Sequence, residues 1–502
     1  MEAFMAKVAE INGVINSFIW GAPGLVLIIG AGILLTIFTK VFQITHLKQW
    51  WKATVGTMFG KKEKAATPTD GKSVSVFKAF CTALAATVGT GNIAGVATAI
   101  VIGGPGAVFW MWIAAFLGMM TKFSEIVLGI YFRRRNADGE WSGGPMYFLK
   151  DGLGKKKGFK TIASVLAVLF SVFTILASFG IGNMSQVNNI VANFESAFFP
   201  GMSWMAGGVD MIGLFICIPL MIVTALIVLG GMKRIAAAAE ILVPFMAAGY
   251  IIFGLIIIGF NYDMIIPAFV SIFKFAFGAE AIAGGAIGTI IIQGCKRGVF
   301  SNEAGLGSAV LAHATADTKE PVRQAMWGIF EVFFDTIIIC SMTAFIVLTS
   351  GYIDLNSGLA VEGIDTATLT SMAFGNVFGR PGEWFAAIAM FLFAYTTALG
   401  WSHYGAKAVE HLLGIKAVLP YRILFVLMVL TGCLMSFGLA LDISDTFNGL
   451  MMIPNLIGVV ALLPLVVKIT KNYIARKIKG ENVEPMLSYD AEIQKEMMEE
   501  AK

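Results

Sequence analysis

The chain has 502 residues, of which 57% are hydrophobic and only 14% are charged, and its formal net charge is +4. This composition, with a mean hydropathy of +0.79, excludes an ordinary soluble globular domain. Apolar runs of the ~20 residues needed to cross a bilayer recur along the chain. We therefore expect an all-α integral membrane protein.

Eleven apolar runs are long enough to be transmembrane helices. They cover residues 22–42, 75–101, 107–131, 161–193, 208–230, 236–260, 280–312, 324–350, 382–406, 422–440 and 446–468. The first run is longer than the apolar core of a signal peptide and follows an N-terminus bearing Glu2 and Glu10. We expect it to be a retained helix.

Lysine and arginine concentrate in alternate loops, namely those after spans one, three, five, seven, nine and eleven. The opposite segments contain only Lys7, Lys274 and Arg380, together with several acidic residues. Because basic loops stay in the cytoplasm, this pattern predicts a cell-membrane protein with its N-terminus outside and its C-terminus inside. The net charge of +4 therefore reflects membrane topology, and membrane lipid, not nucleic acid, is the expected environment.

The second span is interrupted by glycine. Gly89, Gly91 and Gly95 lie near the middle of the apolar run, where glycine weakens a helix and exposes backbone N–H and C=O groups. Lipid cannot hydrogen-bond such groups, so they need protein or a water-filled cavity around them. The alternative is that these glycines only let neighbouring helices pack closely.

The seventh span contains a similar stretch, residues 287–298, with Gln293 and Gly294 at the expected break. Two interrupted helices in corresponding positions of two halves are typical of the binding site of a secondary transporter. A channel would instead require a repeated pore loop, and an enzyme would require a catalytic constellation inside the spans. The sequence favours a transporter over both.

Spans two to six and seven to eleven form two sets of five, as expected for an inverted repeat. We expect four regions: residues 1–73 (outer N-terminus, peripheral helix and basic cytoplasmic linker), 74–260 (first repeat), 261–470 (second repeat) and 471–502 (charged cytoplasmic tail). The tail is expected to be flexible or to lie on the surface. Residues 365–378 read as an outer amphipathic segment, either a lid or an ordinary surface helix.

Four motifs resemble the alanine/glycine:cation symporter family. They are Gly103-Gly-Pro-Gly-Ala-Val-Phe-Trp-Met-Trp-Ile-Ala-Ala-Phe-Leu-Gly118, Ala86-Thr-Val-Gly-Thr-Gly-Asn-Ile-Ala-Gly-Val-Ala97, Gly143-Gly-Pro-Met-Tyr147 and Ser301-Asn-Glu-Ala-Gly-Leu-Gly307. The resemblance covers about residues 20 to 470. It implies a leucine-transporter-like five-plus-five fold with a peripheral first helix.

The same resemblance implies sodium-coupled uptake of small neutral amino acids, chiefly alanine and glycine. Na⁺ would be the co-transported ion, with no organic cofactor. The alternative is a proton-coupled or differently selective amino-acid transporter of the same fold. The sequence leaves the oligomeric state open.

An amino-acid zwitterion needs donors for its carboxylate and acceptors for its ammonium group. The exposed N–H groups of Gly89, Thr90 and Gly91, at the start of a half-helix, are candidate donors at a favourable dipole end. Asn92 either contacts the cation or the substrate carboxylate, or bonds exposed backbone across the break. All four residues are candidate substrate ligands.

Further candidates lie on three other spans. Gln293 and Gly294 are expected to supply acceptors at the seventh-span break, and Asn183 and Gln186 either complete the substrate shell or bond neighbouring helices. Trp401 lies one turn beyond Thr397 on the same helix face. Its indole is expected to narrow the pocket to the size of alanine or glycine.

Adjacent hydroxyls at Thr396 and Thr397 are candidate cation ligands, because Na⁺, like other hard cations, binds oxygen. In leucine-transporter-like folds, a Thr/Ser pair on the eighth core helix forms a sodium site together with carbonyl groups of the first core helix. The resemblance therefore implies a site formed by these two hydroxyls with the carbonyls of Ala85, Val88 and Phe393. The alternative is that both threonines bond back to their own helix.

Ionisable residues inside spans are functional candidates by default, among them Lys122 and Glu125 in span three and Glu331 and Asp335 in span eight. Lys296 and Arg297 follow the expected break of span seven. Lys122 and Glu125 are three residues apart and are candidates for an internal ion pair. The Lys-Arg pair either anchors an inner gate or lies at the cytoplasmic mouth. The two acids of span eight either belong to a cation or proton path or, as we favour, pair structurally.

The five cysteines show no paired spacing and lie in or beside apolar spans: Cys81, Cys217, Cys295, Cys340 and Cys433. We expect small packing residues without a disulfide framework or a zinc motif. The four histidines are equally scattered. No metal cluster or catalytic triad is indicated.

Overall fold

The structure, a computed structural model, describes residues 2–58, 73–206, 209–277, 287–364, 366, 368–434 and 438–499. Its regular structure is almost entirely helical, which confirms the expected all-α class. Two short antiparallel hairpins join helices: β1 (Arg134–Arg135) with β2 (Trp141–Ser142), and β3 (Met205–Ala206) with β4 (Val209–Asp210).

The first half of the chain contains fourteen described α-helices and two π-helical turns. The α-helices are α1 (Glu2–Ile19), α2 (Ala22–Phe38), α3 (Phe42–Thr45), α4 (Leu47–Ala53), α5 (Val55–Met58), α6 (Val76–Thr87), α7 (Val96–Gly103), α8 (Ala107–Tyr131), α9 (Pro145–Asp151), α10 (Lys160–Phe179), α11 (Ser185–Phe198), α12 (Met211–Val228), α13 (Gly231–Phe260) and α14 (Ile265–Phe277). The π-helical turns are Gly91–Gly95 and Gly180–Met184.

The second half continues with α15 (Ile287–Asn302), α16 (Val310–His313), α17 (Pro321–Val332), α18 (Ser341–Leu348), α19 (Leu369–Phe378), α20 (Arg380–Leu413), α21 (Val418–Leu434), α22 (Gly438–Leu450), α23 (Met452–Ala461), α24 (Leu463–Tyr473) and α25 (Ala491–Glu499). π-helical segments Phe333–Cys340 and Ile474–Ile478 follow α17 and α24. Helices α8 and α20 are the most deeply buried of the long apolar helices described, so they form the centre of the bundle.

Nine helices in the described part of the chain are long and apolar enough to cross a membrane, or ten if the bent pair in the second span counts as one span. The multi-pass expectation is confirmed. The count of eleven and the inverted repeat remain predictions, because part of the expected seventh span lies outside the described residues.

The second span is broken where the glycines predict it. Ser75 caps the start of α6 by accepting the Lys78 backbone N–H at 3.2 Å. The helix ends at Thr87, and Val88 has an extended conformation. The segment Gly91–Gly103 then leaves at 51° to α6. The backbone between the two halves therefore lies outside both helices.

The seventh span is broken at a different place from the one predicted. Helix α15 runs without interruption through Gln293 and Gly294, so the expectation of a break there is wrong. A Cβ at Gly294 would lie 2.3 Å from the Ala107 carbonyl oxygen of α8. This glycine serves close helix packing, which was the alternative reading of the glycine pattern.

The break in the seventh span instead occupies residues 303–308, between α15 and α16; we call this segment the break loop. Three of its residues have positive φ, namely Glu303 (55°), Gly305 (99°) and Gly307 (77°). A side chain at Gly307 would meet the Asn455 Oδ1 and Pro145 at 2.6 Å. Because glycine has no Cβ, it adopts this conformation without strain and fits the small space at this position.

The described part of the tail lies against the body of the protein, because Arg476 makes a bidentate pair with Glu320 at 2.7 and 2.9 Å. This is the surface-lying arrangement, one of the two expected for the tail.

Cys217 on α12 and Cys433 on α21 lie side by side in the packed interface of these helices, with Cα atoms 6.3 Å apart. Cys81, Cys295 and Cys340 are also buried, as expected for packing residues.

A helix, α1, precedes the expected first span and packs on α22. Residues 365–378 contain α19, whose buried residues face the long helix α20. Residues 365 and 367 of that segment lie outside the description.

Candidate substrate and cation site

The break in the second span places a carbonyl-rich turn against α20. The Thr397 hydroxyl lies 3.1 Å from the Ala85 carbonyl oxygen and 3.4 Å from that of Val88. A Cβ at Gly89 would lie 2.3 Å from the Thr397 Oγ1, so only glycine allows this approach. Three of the five residues expected at the cation site therefore come together.

The other two expected cation ligands are arranged differently. The Thr396 hydroxyl donates to carbonyls of its own helix, those of Leu392 at 2.9 Å and Phe393 at 3.1 Å. This is the back-bonding that membrane threonines often show. Thr396 and Phe393 adjoin the Thr397 cluster along α20, but the contacts of the Thr396 hydroxyl are made within that helix.

Asn92 closes the break of the second span from within. Its Oδ1 accepts the Gly89 backbone N–H at 2.8 Å, and its Nδ2 donates to the Asp335 Oδ1 at 2.6 Å. Asn92 is fully buried. The side chain therefore bonds exposed backbone across the break, which was one of the two roles expected for it.

Asp335 connects the two interrupted spans. Besides Asn92, it accepts hydrogen bonds from the Ser301 hydroxyl at 2.8 Å and the Thr336 hydroxyl at 2.9 Å. Ser301 lies at the end of α15, two residues before the break loop. The sequence marks Asp335 as an ionisable residue inside a span, but nothing in it predicts these partners.

A polar cavity of about 340 Å³ reaches the break beside Thr90 and Gly91. Its lining comes from the second half of span two, from α11, α15 and α22, and from α1: Asn16, Thr90, Gly91, Ala94, Gly95, Thr98, Ile181, Ser185, Asn189, Lys296, Arg297, Phe300, Asp442 and Asp445. Two expected substrate ligands, Thr90 and Gly91, thus face this cavity.

Lys296 and Arg297 both line the cavity. Their expected place, at an inner gate or at the cytoplasmic mouth, stays a prediction. The Lys296 ammonium lies 3.6 Å from the Asp445 carboxylate, to which the Asn16 amide also donates at 3.1 Å. Positive and negative groups thus face the same cavity, an arrangement that suits a zwitterion.

Three other expected substrate ligands, Asn183, Gln186 and Gln293, are not among the residues that line this cavity. Asn183 donates to the Phe425 carbonyl at 2.7 Å, as structural glue between helices. Gln186 donates to the Ile181 carbonyl of its own span at 3.0 Å. Gln293, on α15, packs against Gly103 at the end of α7.

Trp401 is buried, with 1% of its surface exposed. Its side chain packs on Gly182 at the π-helical turn of the fourth span, where a Cβ would come within 2.5 Å of it. Its indole lies next to Glu303 of the break loop. The side chain therefore joins α20 to both the fourth and the seventh spans.

The expected pair between Lys122 and Glu125 does not form. Lys122 instead donates to Glu331 on α17 at 2.9 Å, and both side chains are fully buried. The other Glu331 oxygen lies 2.8 Å from the His313 Nε2. Structural pairing, favoured for the acids of span eight, is thus the arrangement of Glu331.

These features define a multi-pass α-helical membrane protein whose polar cavity meets an interrupted helix. The sequence profile of the sodium:alanine symporter family matches residues 5–486. The chain belongs to this family, whose members are transporters and not enzymes.

Two relatives cover nearly the whole chain. The sodium/alanine symporter AgcS of Methanococcus maripaludis is 45% identical over 460 residues, covering 91% of this chain and 96% of that protein. The probable sodium/glutamine symporter GlnT of Bacillus subtilis is 36% identical over 481 residues, covering 95% and 93%.

Among solved structures, MhsT in complex with L-phenylalanine matches with a TM-score of 0.53 and 14% identity, covering 80% of this chain and 98% of that one. At this identity the similarity concerns the fold alone. It agrees with the leucine-transporter-like fold that the motifs imply.

Proposed function

We propose that this protein couples the inward movement of Na⁺ to the uptake of small neutral amino acids, most specifically alanine and glycine, by alternating access. The observation that carries the proposal is the approach of the Thr397 hydroxyl to the Ala85 and Val88 carbonyls at a helix break. Family membership and the similarity to AgcS support it.

The donor set suits a small hard cation. Na⁺ binds oxygen ligands, and the break supplies backbone carbonyl oxygens that have no partner in a continuing helix. Thr397 adds a hydroxyl oxygen from a second span. A cation bound here would hold the two spans together, and its release would allow them to separate.

The substrate is proposed to bind where the polar cavity meets Thr90 and Gly91. Backbone N–H groups at the start of the half-helix favour a carboxylate, and the acidic groups opposite favour an ammonium group. The similarity to GlnT keeps a larger neutral amino acid as the alternative substrate.

Uptake by purified protein in liposomes tests the proposal. Radiolabelled alanine should accumulate when an inward Na⁺ gradient is imposed, and glycine should compete better than glutamine, leucine or phenylalanine. A proton gradient applied alone, with Na⁺ absent, should not drive accumulation. Accumulation driven by protons alone would overturn the sodium proposal, and preferred uptake of glutamine would overturn the proposed selectivity.

The orientation is part of the proposal, with the N-terminus outside and the C-terminus in the cytoplasm. Short epitope tags at the two ends, probed in intact and in permeabilised cells, test it. The N-terminal tag should be accessible in intact cells and the C-terminal tag only after permeabilisation. The reverse pattern would contradict the orientation derived from the charges.

A further inference from the structure

Four carboxyl groups lie inside the helix bundle close to the break loop. Glu125, Glu331 and Asp335 are fully buried, and Glu303 is 4% exposed. Burying several negative charges away from water is strongly unfavourable unless each is paired, hydrogen-bonded or protonated. The partners of each group therefore indicate its protonation state.

Three of the four groups have partners that stabilise a carboxylate. Glu331 contacts Lys122 and His313 through its two oxygens, and Asp335 has three donors, as described above. Glu303 accepts a hydrogen bond from Ser308 and lies next to the Trp401 indole.

Glu125 differs from these three. Its Oε1 accepts the Gly305 backbone N–H at 3.0 Å and the Asn455 Nδ2 at 2.5 Å. Its Oε2 is buried and has no hydrogen-bond partner among the described residues. The charged groups that face it are Lys122 on α8, which pairs with Glu331, and Glu331 itself on α17. Helix α23 presents only the neutral Asn455.

Asn455 has a matching unused atom. Its Nδ2 donates to both the Glu125 Oε1 and, at 2.8 Å, the Gly305 carbonyl. Its Oδ1 is buried and has no donor among the described residues. A protonated carboxyl group has one O–H donor beside its acceptor oxygen, so it can form two hydrogen bonds with a primary amide. A proton on the Glu125 Oε2 would supply the donor that the Asn455 Oδ1 lacks.

We propose that Glu125 is a proton-binding site. It carries a proton on Oε2 and donates it to the Asn455 Oδ1, while the Gly305 N–H and C=O contact the same acid–amide pair. The pair joins α8, α23 and the break loop. At alkaline pH, loss of the proton leaves a buried negative charge and removes one of these hydrogen bonds. The contacts that fix the break loop to α8 and α23 then become weaker.

Glu125→Gln tests the proposal, because a glutamine amide reproduces the shape and the donor of the protonated acid. The readout is thermal unfolding of the purified full-length protein in detergent, from mildly acidic to mildly alkaline pH, without substrate. One proton changes the folded-to-unfolded ratio by at most about tenfold per pH unit. The wild type should lose stability toward alkaline pH, and E125Q should lose markedly less.

Glu303→Gln is the matched control. It also removes a buried carboxyl group, in the break loop itself, but one that accepts a hydrogen bond from Ser308 and lies next to the Trp401 indole. E303Q should keep the alkaline loss of stability. The proposal is overturned if E125Q retains the wild-type pH profile, or if E125Q is destabilised at every pH, as expected for an ionised carboxylate that the fold needs.

Alanine uptake at a fixed Na⁺ gradient gives a second readout, which rests on the proposed function. Wild-type uptake should fall toward alkaline pH, and E125Q should transport with a flatter profile. Absence of sodium-driven alanine uptake in the wild type would contradict the proposed function while leaving the stability test of the proton site intact. A folded E125Q without uptake would show that the carboxylate itself is required and would overturn the proposal.

Discussion

Thr396 and Thr397 are neighbours in the sequence, but their hydroxyl groups make different contacts. Thr397 reaches the carbonyls of Ala85 and Val88 across the bundle, and Thr396 bonds back to its own helix. Neighbouring helix positions are rotated by about 100° about the axis, so two adjacent hydroxyls need not face one partner. The two residues should therefore contribute unequally to cation binding.

Thr397→Val removes a hydroxyl oxygen from the proposed Na⁺ site while keeping the volume of the side chain. The apparent Na⁺ affinity of alanine uptake should fall at least about tenfold, equivalent to about 1.4 kcal/mol. Thr396→Val should have a smaller effect, and the double variant should resemble T397V. The measurement is initial uptake in liposomes as a function of Na⁺ concentration.

Thr470→Val serves as the control for these variants, because Thr470 is buried and bonds back to the Val466 carbonyl far from the break. It should leave the Na⁺ dependence unchanged. Equal losses in T396V and T397V would mean that both hydroxyls bind the cation. An unchanged Na⁺ dependence in T397V would place the cation site elsewhere.

Trp401 offers a second test at the scale of one residue. Trp401→Leu should loosen selection by size, since pocket volume discriminates by only ~1–3 kcal/mol per methylene, and larger neutral amino acids should become better competitors of alanine uptake. Trp401→Phe retains a ring against Gly182 but removes the indole N–H next to Glu303. If selectivity broadens in W401L but not in W401F, the volume of the side chain at position 401 sets the selectivity. An unaltered selectivity series in both variants would place Trp401 outside the substrate site.

Contacts between distant residues mark the limit of sequence reasoning at this scale. The motif resemblance predicts the group formed by Ala85, Val88 and Thr397, because the implied fold specifies which helices are neighbours. The sequence allows the Asn92 amide either to bind a ligand or to bond backbone across the break. Only the structure shows that this amide contacts Asp335, which is 243 residues away in the chain. Residue types and spacing identify polar groups inside spans but not their partners.

At the scale of helices, two similar glycine patterns have different structural consequences. Gly89 and Gly91 mark a true break because the helix ends at Thr87 and Val88 is extended. Gly294 lies inside a continuous helix that packs closely on α8. The sequence shows glycine in the middle of each span. Only the packing distance to the neighbouring helix distinguishes a glycine that breaks the helix from one that allows close packing.

Gly294→Ala tests the packing role of this glycine. The added Cβ would lie 2.3 Å from the Ala107 carbonyl oxygen and 2.7 Å from the Trp110 Cβ, so α15 and α8 must separate. Overpacking typically costs ~1–3 kcal/mol, and thermal stability of the purified protein should fall accordingly. A stable G294A would show that this interface has room and that the expected close packing is wrong.

Gly288→Ala is the matched control on the same helix. No atom lies within 4 Å of a Cβ built there. Alanine is favoured over glycine in a helix by up to about 1 kcal/mol, so G288A should be neutral or slightly stabilising. A loss of stability equal to that of G294A would point to a general intolerance of substitution in α15.

At the scale of the molecule, the two ends of α6 have different surroundings. Beyond its C-terminal end the polar cavity reaches Thr90 and Gly91. At its N-terminal end, Val74 pairs with the segment after α16, and buried Arg133 donates to the carbonyls of Ala314, at 3.0 Å, and Ala316, at 2.7 Å. The cavity therefore lies on one side of the break, and we expect the Arg133 guanidinium group to hold the other side closed.

Arg133→Lys should weaken this closed side. A lysine ammonium cannot reproduce the planar fork of guanidinium donors, and hydrogen bonds to charged groups contribute about 1.5–3 kcal/mol each. Losing one of them would shift the balance between closed and open forms about tenfold or more. We expect alanine binding to the purified protein to persist while uptake into liposomes falls. A cysteine introduced by Ala316→Cys should react faster with a water-soluble maleimide.

Arg135→Lys is the control, because Arg135 lies in the same hairpin but is exposed. It should change neither the uptake nor the rate of labelling. Unchanged uptake and labelling in R133K would mean that Arg133 stabilises its hairpin without closing this side.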